Sequence, residues 1–189
     1  VVTDLATPPR QPLTLKRYSS SRARNYDLPV YRTPVGFKYL ADLFIQGKIS
    51  FGGEESACLA VKDHLPEKDG IFAGLLVAEM VAVYGESLTE LLARLFKKYG
   101  KMVGAQTNLD LSPRISRRLN ELIKNPPDRL GRRRVVSVET MDGLKLVFSG
   151  DSWLTLRFSG TEPLVRCYSE AETRREAQAL LKLGVKLLC

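Results

Sequence analysis

Cysteine is scarce in this 189-residue sequence, and no targeting segment opens it. The three cysteines, Cys58, Cys167 and Cys189, are odd in number and far apart. This spacing argues against a disulfide framework and favours a reducing compartment. No basic segment followed by an apolar stretch stands at the start of the chain, so no secretory signal is visible. Together these features predict a cytoplasmic location.

Long apolar runs are also absent. The longest, from Ile71 to Tyr84, is interrupted by Glu79 and is shorter than the ~20 residues that a membrane span needs. Disorder is excluded as well, because 44% of the residues are hydrophobic and only 26% are charged, as in ordinary globular proteins. The length allows one domain or two smaller ones. The first residue is Val1 rather than Met, which predicts a fragment or a processed product.

Basic residues outnumber acidic ones, 29 to 21, which gives a net charge of +8. Most of the excess is concentrated in seven arginines of the second half of the chain: Arg114, Arg117, Arg118, Arg129, Arg132, Arg133 and Arg134. Aromatic residues are not interleaved with them, as a platform for single-stranded nucleic acid requires. A solvated face or linker is therefore favoured over nucleic acid, and a phosphate-bearing partner is the alternative.

Apolar periodicity and capping signals predict two domains. Residues 1–104 form a mixed α/β domain, in which residues 1–25 are atypical because of prolines and a Ser/Arg-rich run. A helix over residues 70–84 is apolar on nearly all sides, so we expect it to be buried. Residues 105–189 form a four-stranded antiparallel meander with helices on one face. Patterning lapses near residues 104–109, which predicts a hinge there.

One very polar loop lies between two predicted strands of the second domain. Ser159 and Thr161 offer hydroxyl groups, and Gly160 allows a nest of backbone N–H groups. Arg157 precedes the loop and Arg166 follows it, and a guanidinium can bind phosphate oxygens in a bidentate manner. The pattern indicates an anion site. A plain hairpin with two surface arginines is the alternative.

A second polar segment, Gly52–Ser56, follows a short predicted strand in the first domain. Carboxylates beside a hydroxyl suit a polyol such as a sugar, because they accept hydrogen bonds from adjacent hydroxyl groups. A magnesium or calcium site is a competing interpretation, although the stretch lacks the further oxygen ligands of a calcium loop. A tight turn with exposed acidic side chains is the third.

The two loops, together with two further segments, resemble one known family. The matching segments, in the family's order, are residues 33–38 (Thr-Pro-Val-Gly-Phe-Lys), 53–56 (Gly-Glu-Glu-Ser), 64–70 (His-Leu-Pro-Glu-Lys-Asp-Gly) and 157–163 (Arg-Phe-Ser-Gly-Thr-Glu-Pro) with Arg166. In these segments the chain resembles the C-terminal half of the α-D-phosphohexomutases, the phosphoglucomutase and phosphomannomutase family. The resemblance covers roughly residues 26–189.

The resemblance implies a fold and an activity. The fold would be the α/β third domain of the family, followed by an α+β, TATA-binding-protein-like fourth domain with a four-stranded antiparallel sheet. Family enzymes interconvert hexose 1-phosphate and hexose 6-phosphate through a phosphoserine, Mg²⁺ and a hexose 1,6-bisphosphate intermediate. The chain has no Thr/Ser-x-Ser-His-Asn-Pro and no Asp-x-Asp-Gly-Asp segment. Catalytic and metal-binding residues are therefore expected in missing N-terminal domains, and this chain alone is expected to be inactive.

The resemblance also assigns site residues, with a phosphosugar as the expected ligand and no membrane partner. Sugar contacts would come from six residues of the first domain: Val35, Gly36, Phe37, Glu54, Ser56 and Lys68. Of these, Glu54 and Ser56 would hold hydroxyls 3 and 4. The phosphate clamp would consist of five residues of the second domain: Arg157, Ser159, Gly160, Thr161 and Arg166. His64, the only histidine, is interpreted as structural, with a role in proton transfer as the alternative.

The sequence departs from the family in three places. Phe158 stands where the family usually has proline, Ala57 and Cys58 replace small residues after the sugar loop, and residues 8–25 do not follow the family pattern. Glucose is expected as the sugar, with mannose and glucosamine as alternatives, because hydroxyls 3 and 4 do not distinguish them. A non-enzymatic phosphosugar-binding or regulatory module is the alternative function.

Overall fold

The computed structural model describes residues 29–54 and 59–189, and the chain divides into two units, residues 1–100 and 101–189. The described elements of the first unit are α1 (Phe37–Ile45), β1 (Phe51–Gly53), β2 (Leu59–Val61), α2 (Gly70–Tyr84) and α3 (Leu88–Tyr99). Strands β1 and β2 form an antiparallel pair in which Phe51 lies opposite Val61. The predicted atypical segment, residues 1–25, lies outside the described residues.

Local signals explain the helix limits of the first unit. Asp69 caps α2 by accepting a hydrogen bond from the Phe72 N–H, and Gly85 ends the helix in a left-handed conformation. Ser87 and Glu90 form a capping box at the start of α3. The predicted helix over residues 70–84 is confirmed by α2.

Helix α2 is not buried in the described structure, and the expectation of burial was wrong. Ala73 is its only buried residue, whereas Ile71 is 82% exposed and Val83 is 74% exposed. The described core of this unit is small: Phe37, Leu40, Ile49 and Ala60. Among the described residues of this unit, α1, α3 and the two-stranded sheet leave most of the apolar surface of α2 uncovered. No single described helix is long and apolar enough to cross a membrane. Helices α2 and α3 together reach that length and apolar composition, but they are bent by 83° relative to each other.

The second unit is a six-stranded antiparallel sheet with two long helices. Its elements are β3 (Val103–Asp110), α4 (Pro113–Lys124), β4 (Arg129–Leu130), β5 (Arg133–Glu139), β6 (Leu144–Phe148), a 3₁₀ turn (Ser149–Asp151), β7 (Trp153–Phe158), β8 (Leu164–Ala171) and α5 (Arg174–Leu188). The strand order is β3-β8-β7-β6-β5-β4. The predicted meander corresponds to β5 to β8, and two further strands extend it at its edges.

Strand β3 occupies the segment predicted as a hinge, so that prediction was wrong. It pairs with β8 along its whole length, from Val103 opposite Ala171 to Asp110 opposite Leu164. Its pattern is weakly apolar because it is an edge strand. Ala105 and Leu109 pack against the core, while Gln106 and Asn108 are exposed on the other face. The strand ties the start of the second unit to its last strand.

Alternation along the central strands separates a core face from a polar face. Leu154 and Leu156 of β7 and Val165 of β8 are fully buried in the large core, together with residues of α4 and α5. Helix α5 approaches the sheet closely at Gly184, where a Cβ atom would lie 2.6 Å from a methyl group of Leu154. Side chains alternate along a strand, so Arg157, which follows Leu156, and Arg166, which follows Val165, project from the face opposite the helices.

Candidate functional site

The structure brings together two of the predicted sugar-binding segments. The backbone N–H of Gly36 donates a 2.9 Å hydrogen bond to Oε1 of Glu54, although the two residues are 18 positions apart. Gly36 lies at the start of α1 with φ of 133°, a conformation that favours glycine. The bond fixes one carboxylate oxygen and leaves Oε2 to accept hydrogen bonds from a hydroxylated ligand.

The other predicted sugar contacts differ in their surroundings. Val35 is 42% exposed, whereas the Phe37 side chain is 6% exposed and packs in the small core. Phe37 therefore can offer only its backbone to a ligand. Lys68 is exposed, and its N–H donates to the neighbouring Glu67 carboxylate at 2.8 Å. Ser56 lies outside the described residues.

The loop that carries Lys68 is closed by His64 and Asp69. The His64 Nε2 atom lies 3.0 Å from Asp69 Oδ2, and the His64 ring stacks on Phe72 at 4.2 Å between centroids. Asp69 Oδ1 simultaneously accepts the Phe72 N–H at 2.9 Å. These contacts join both ends of the loop to the start of α2. They support the structural interpretation of His64.

The same contacts predict a pH dependence for this loop. The hydrogen bond from the Phe72 N–H, followed by that to His64, lowers the pKa of Asp69 below its ordinary value. A lowered folded-state pKa stabilises the fold above the unfolded pKa of about 3.9, and this contribution is lost as the pH falls through the folded value. The thermal midpoint of the native chain should therefore fall faster below pH 4 than that of Asp69→Asn, which keeps an N-cap. If the thermal midpoints of the native chain and of Asp69→Asn changed in parallel between pH 3 and 6, this prediction would be contradicted.

Two arginines lie directly opposite each other in the second unit. In the β7–β8 ladder, Arg157 is the register partner of Arg166, and both project from the face opposite the helices. Like charges placed opposite each other on neighbouring strands are destabilising. An anion held between the two guanidinium groups would remove this repulsion. The register therefore places two cationic side chains beside the loop where the sequence predicted an anion site.

Arg166 is held in place by the loop that joins the two strands. Its Nε donates to Ser159 Oγ at 3.3 Å, and its Nη2 pairs with the Glu162 carboxylate. The Ser159 N–H donates to the Leu164 carbonyl at 2.9 Å, which closes the loop. The Pro163 carbonyl accepts the Leu111 N–H at 2.9 Å. The loop is thus anchored both to its own hairpin and to the chain after β3.

The backbone conformation at position 160 does not require glycine. Gly160 is not among the residues with positive φ, and a Cβ atom built on it would meet nothing within 4 Å. The nest predicted around Gly160 is therefore not formed here. Thr161 is exposed beside it. Phe158, where the family usually has proline, is partly buried against the large core and anchors the loop by packing instead.

Two residues missed by the sequence analysis contact Arg157. The Arg157 guanidinium carbon lies 5.7 Å from the centroid of the Tyr168 ring. Gly143, in the β5–β6 turn, leaves room for the Arg157 backbone, because a Cβ atom there would lie 2.8 Å from the Arg157 Cα. Alternation along β8 could have placed Tyr168 beside Arg166. The register of the β6–β7 hairpin, in which Leu144 lies opposite Leu156, could have placed Gly143 beside Arg157.

Several basic residues outside this loop have structural partners. Arg118 Nε donates to the Leu187 carbonyl at 3.0 Å, and Arg114 donates to the Cys189 carbonyl. Cations near a helix C-terminus interact favourably with its dipole. Arg133 pairs with Glu176 at 3.2 Å. These contacts favour the interpretation of the arginine-rich segment as a solvated face rather than as a polyanion-binding site.

Neither a metal cluster nor a reactive buried thiol stands out in residues 29–54 and 59–189. No three His, Cys, Asp or Glu side chains lie close enough there to hold a metal ion. Burial, and to a smaller extent Cys189, raises the pKa of Cys167 to about 11, so this core thiol stays protonated at neutral pH.

Comparison with known proteins identifies the family. The model described as phosphoglucomutase/phosphomannomutase, alpha/beta/alpha domain III, matches residues 13–99. The model described as phosphoglucomutase/phosphomannomutase, C-terminal domain, matches residues 115–183. The chain belongs to the phosphoglucomutase/phosphomannomutase family and corresponds to its last two domains. The domain III model matches from residue 13, whereas the resemblance noted in the sequence begins near residue 26.

Individual relatives agree with this assignment. A phosphoglucomutase/phosphomannomutase of Thermococcus kodakarensis is 30% identical over 166 residues, which are 88% of this chain and 34% of the relative. A structure from Thermus thermophilus, named as a phosphomannomutase, is 29% identical with a TM-score of 0.72 and covers 95% of this chain and 36% of that one. Other matched relatives carry the name phosphoglucosamine mutase. The chain spans about a third of the length of the curated relatives it matches.

One structure with a similar fold contains ligands. An N-acetylphosphoglucosamine mutase of Aspergillus fumigatus, in complex with GlcNAc-6P and magnesium, has a TM-score of 0.55 and 16% identity. It covers 95% of this chain and 41% of that one. At this identity the likeness shows the fold alone.

Proposed function

We propose that this chain is the part of a phosphohexomutase that binds the substrate's sugar hydroxyls and one phosphate group. The first unit would contribute the Glu54 carboxylate, held by Gly36, and Ser56. The second would contribute Arg157, Arg166 and the hydroxyls of Ser159 and Thr161. The observation that carries the proposal is the direct pairing of Arg157 with Arg166, one of them already bonded to Ser159.

The proposed whole enzyme interconverts hexose 1-phosphate and hexose 6-phosphate. A phosphate clamp combined with contacts to central hydroxyls accepts the sugar in both orientations, as this reaction requires. The nucleophilic serine, Mg²⁺ and the transfer to and from a hexose 1,6-bisphosphate belong to domains that this chain does not contain. Phosphoryl transfer depends on such a nucleophile and on cations that neutralise charge. The purified 189-residue chain should therefore show no interconversion in a coupled assay, and robust turnover would contradict the proposal.

Binding is the direct test of this chain's role. Glucose 6-phosphate titrated into the full chain should shift the amide resonances of residues 157–166 and those of Gly36 and Glu54. Inorganic phosphate should shift only the first set, and free glucose should bind far more weakly than the ester. Glu54→Gln should weaken glucose 6-phosphate and leave inorganic phosphate unchanged, which makes the two ligands controls for each other. Phosphate-dependent shifts at residues 132–134 instead would show that the clamp is assigned wrongly.

The sugar is proposed as glucose, with mannose and glucosamine as the alternatives. Matched relatives carry all three kinds of name, and Glu54 and Ser56 would contact hydroxyls that these sugars share. Rejection of a wrong sugar by several kcal/mol needs a buried polar group that the wrong sugar leaves unpaired. Comparing the affinities of the three 6-phosphates for this chain measures how much discrimination these two domains supply, and tighter binding of mannose 6-phosphate would reject glucose.

A phosphosugar-binding module without catalytic activity is the second candidate. Polyanion binding through the +8 charge is distinguished by salt, because nucleic-acid affinity falls steeply as the salt concentration rises. Polyanion binding would be excluded if the wild-type chain still bound phosphosugar at 200 mM salt and Arg157→Met no longer did.

A further inference from the structure

The two clamp arginines are held by different kinds of contact. Arg166 has a hydroxyl and a carboxylate as partners, Ser159 and Glu162. For Arg157, by contrast, no carboxylate within the described ranges lies at ion-pair distance. Its contacts are a 3.4 Å hydrogen bond to the Phe158 carbonyl and the ring of Tyr168. The orientation of Arg157 therefore depends on something other than a counter-charge.

Strand register places Tyr168 diagonally beside Arg157. Thr155 is the register partner of Tyr168, and Arg157 is the partner of Arg166, two residues along each strand. The residues that flank Tyr168, Cys167 and Ser169, are buried towards the helices, so the ring lies on the same face as both arginines. Diagonal neighbours on a sheet are within reach of aromatic side chains. The 5.7 Å separation is within the range of a cation–π contact.

Two neighbours limit where the Arg157 side chain can lie. On the β6 side, the turn at Gly143 lies against Arg157, since a Cβ atom at position 143 would be 2.7 Å from the Arg157 Cβ. Across the ladder, the like charge of Arg166 repels the guanidinium. The Phe158 carbonyl and the face of the Tyr168 ring are the attractive contacts of the guanidinium, and of these two the ring is the one that a side-chain substitution can remove.

We infer that Tyr168 is a positioning residue of the phosphate clamp. Its ring holds the Arg157 guanidinium opposite Arg166, so that a phosphate dianion meets two oriented cations. This inference rests on the proposed function. Without the ring, Arg157 would move away from Arg166, and phosphate binding would have to overcome both the repulsion and the lost side-chain freedom.

The test measures the affinity of the full 189-residue chain for inorganic phosphate. Tyr168→Leu should weaken binding about three- to tenfold, the range of one cation–π contact. Tyr168→Phe, which keeps the ring, should stay within about twofold of the wild type on the same grounds. Tyr99→Leu is a matched control, because Tyr99 also lies near a cation, Lys98, but in the first unit, and it should leave phosphate affinity unchanged. Wild-type affinity in Tyr168→Leu would overturn the inference.

A second comparison separates an electrostatic role from a packing role. Pentafluorophenylalanine at position 168 keeps the ring shape and reverses the charge of its face, so it should bind phosphate more weakly than Tyr168→Phe. Equal affinities would overturn the inference even if Tyr168→Leu does not fold.

A double-mutant cycle links the ring to Arg157. In an Arg157→Met background, Tyr168→Leu should cause less than about a 1.5-fold further loss, because the ring then has no guanidinium to hold. A full three- to tenfold further loss would show that the ring acts in another way and would overturn the inference. If Arg157→Met itself leaves phosphate affinity unchanged, the proposed clamp fails. This failure of the proposed function can be told apart from failure of the inference alone, in which phosphate affinity would depend on Arg157 but not on Tyr168.

Discussion

Replacing Arg157 by methionine should weaken the binding of phosphate and of hexose 6-phosphate about 10- to 100-fold. The substitution removes a charged hydrogen-bond donor, and such contacts contribute about 1.5–3 kcal/mol each. Methionine keeps the length of the apolar stem, so the loss reports the guanidinium rather than packing. Isothermal titration of the full chain at one fixed salt concentration is the measurement.

Arg166→Met should have a larger effect than Arg157→Met. Arg166 neutralises Glu162, and without it a free carboxylate would stand at the clamp and repel the ligand. Adding Glu162→Gln to Arg166→Met should therefore recover part of the lost affinity. Arg132→Met is the control for general charge, because Arg132 is exposed and outside the clamp. If Arg132→Met weakened phosphate as much as Arg157→Met, the affinity would come from net charge and not from the site.

The sequence predicted the clamp hairpin well because each of its signals is local. Two alternating strands flank a loop with proline and glycine, and a short loop obliges its strands to pair. Once the strands pair, the positions of Arg157 and Arg166 relative to the turn follow from counting residues. The observed register bears out that hairpin.

Strand β3 was missed because its partner lies far away in the sequence. An edge strand with a solvent-exposed face needs few apolar residues, and Gly104, Thr107 and Asn108 gave it the composition of a linker. What stabilises it is pairing with β8, some sixty residues later. Composition within a short window carries no information about such a partner.

Burial of α2 was predicted from composition and failed for a related reason. An apolar helix is buried only where other elements cover it, and the described residues of the first unit form a two-stranded sheet and a small core. The sugar-binding segments show the same limit. Their residue types indicated a polyol, but the hydrogen bond from Gly36 to Glu54 joins two loops whose proximity no spacing rule predicts.

Gly143→Ala should destabilise the second unit by about 2–6 kcal/mol, the largest effect on stability that we expect from a single methyl group. Gly143 has φ of 86°, which costs a residue with a Cβ atom about 1–3 kcal/mol. The added Cβ atom would also lie 2.3 Å from the Leu156 carbonyl oxygen, and backbone cannot move aside as a flexible side chain does. Relieving that overlap costs about 1–3 kcal/mol more.

Gly150→Ala is the matched control for this prediction. Gly150 also has positive φ, 74°, but a Cβ atom there would meet nothing within 4 Å, so only the conformational cost remains, about 1–2 kcal/mol. Trp153 is the only tryptophan and is buried in the second unit, so denaturant unfolding followed by its fluorescence reports this unit alone. Gly143→Ala should unfold at clearly lower denaturant than Gly150→Ala. Because the displaced turn lies against Arg157, it should also weaken phosphate binding, whereas Gly150→Ala should not. Equal midpoints for the two variants would show that the turn yields without cost, and Gly143 would then have no part in holding Arg157.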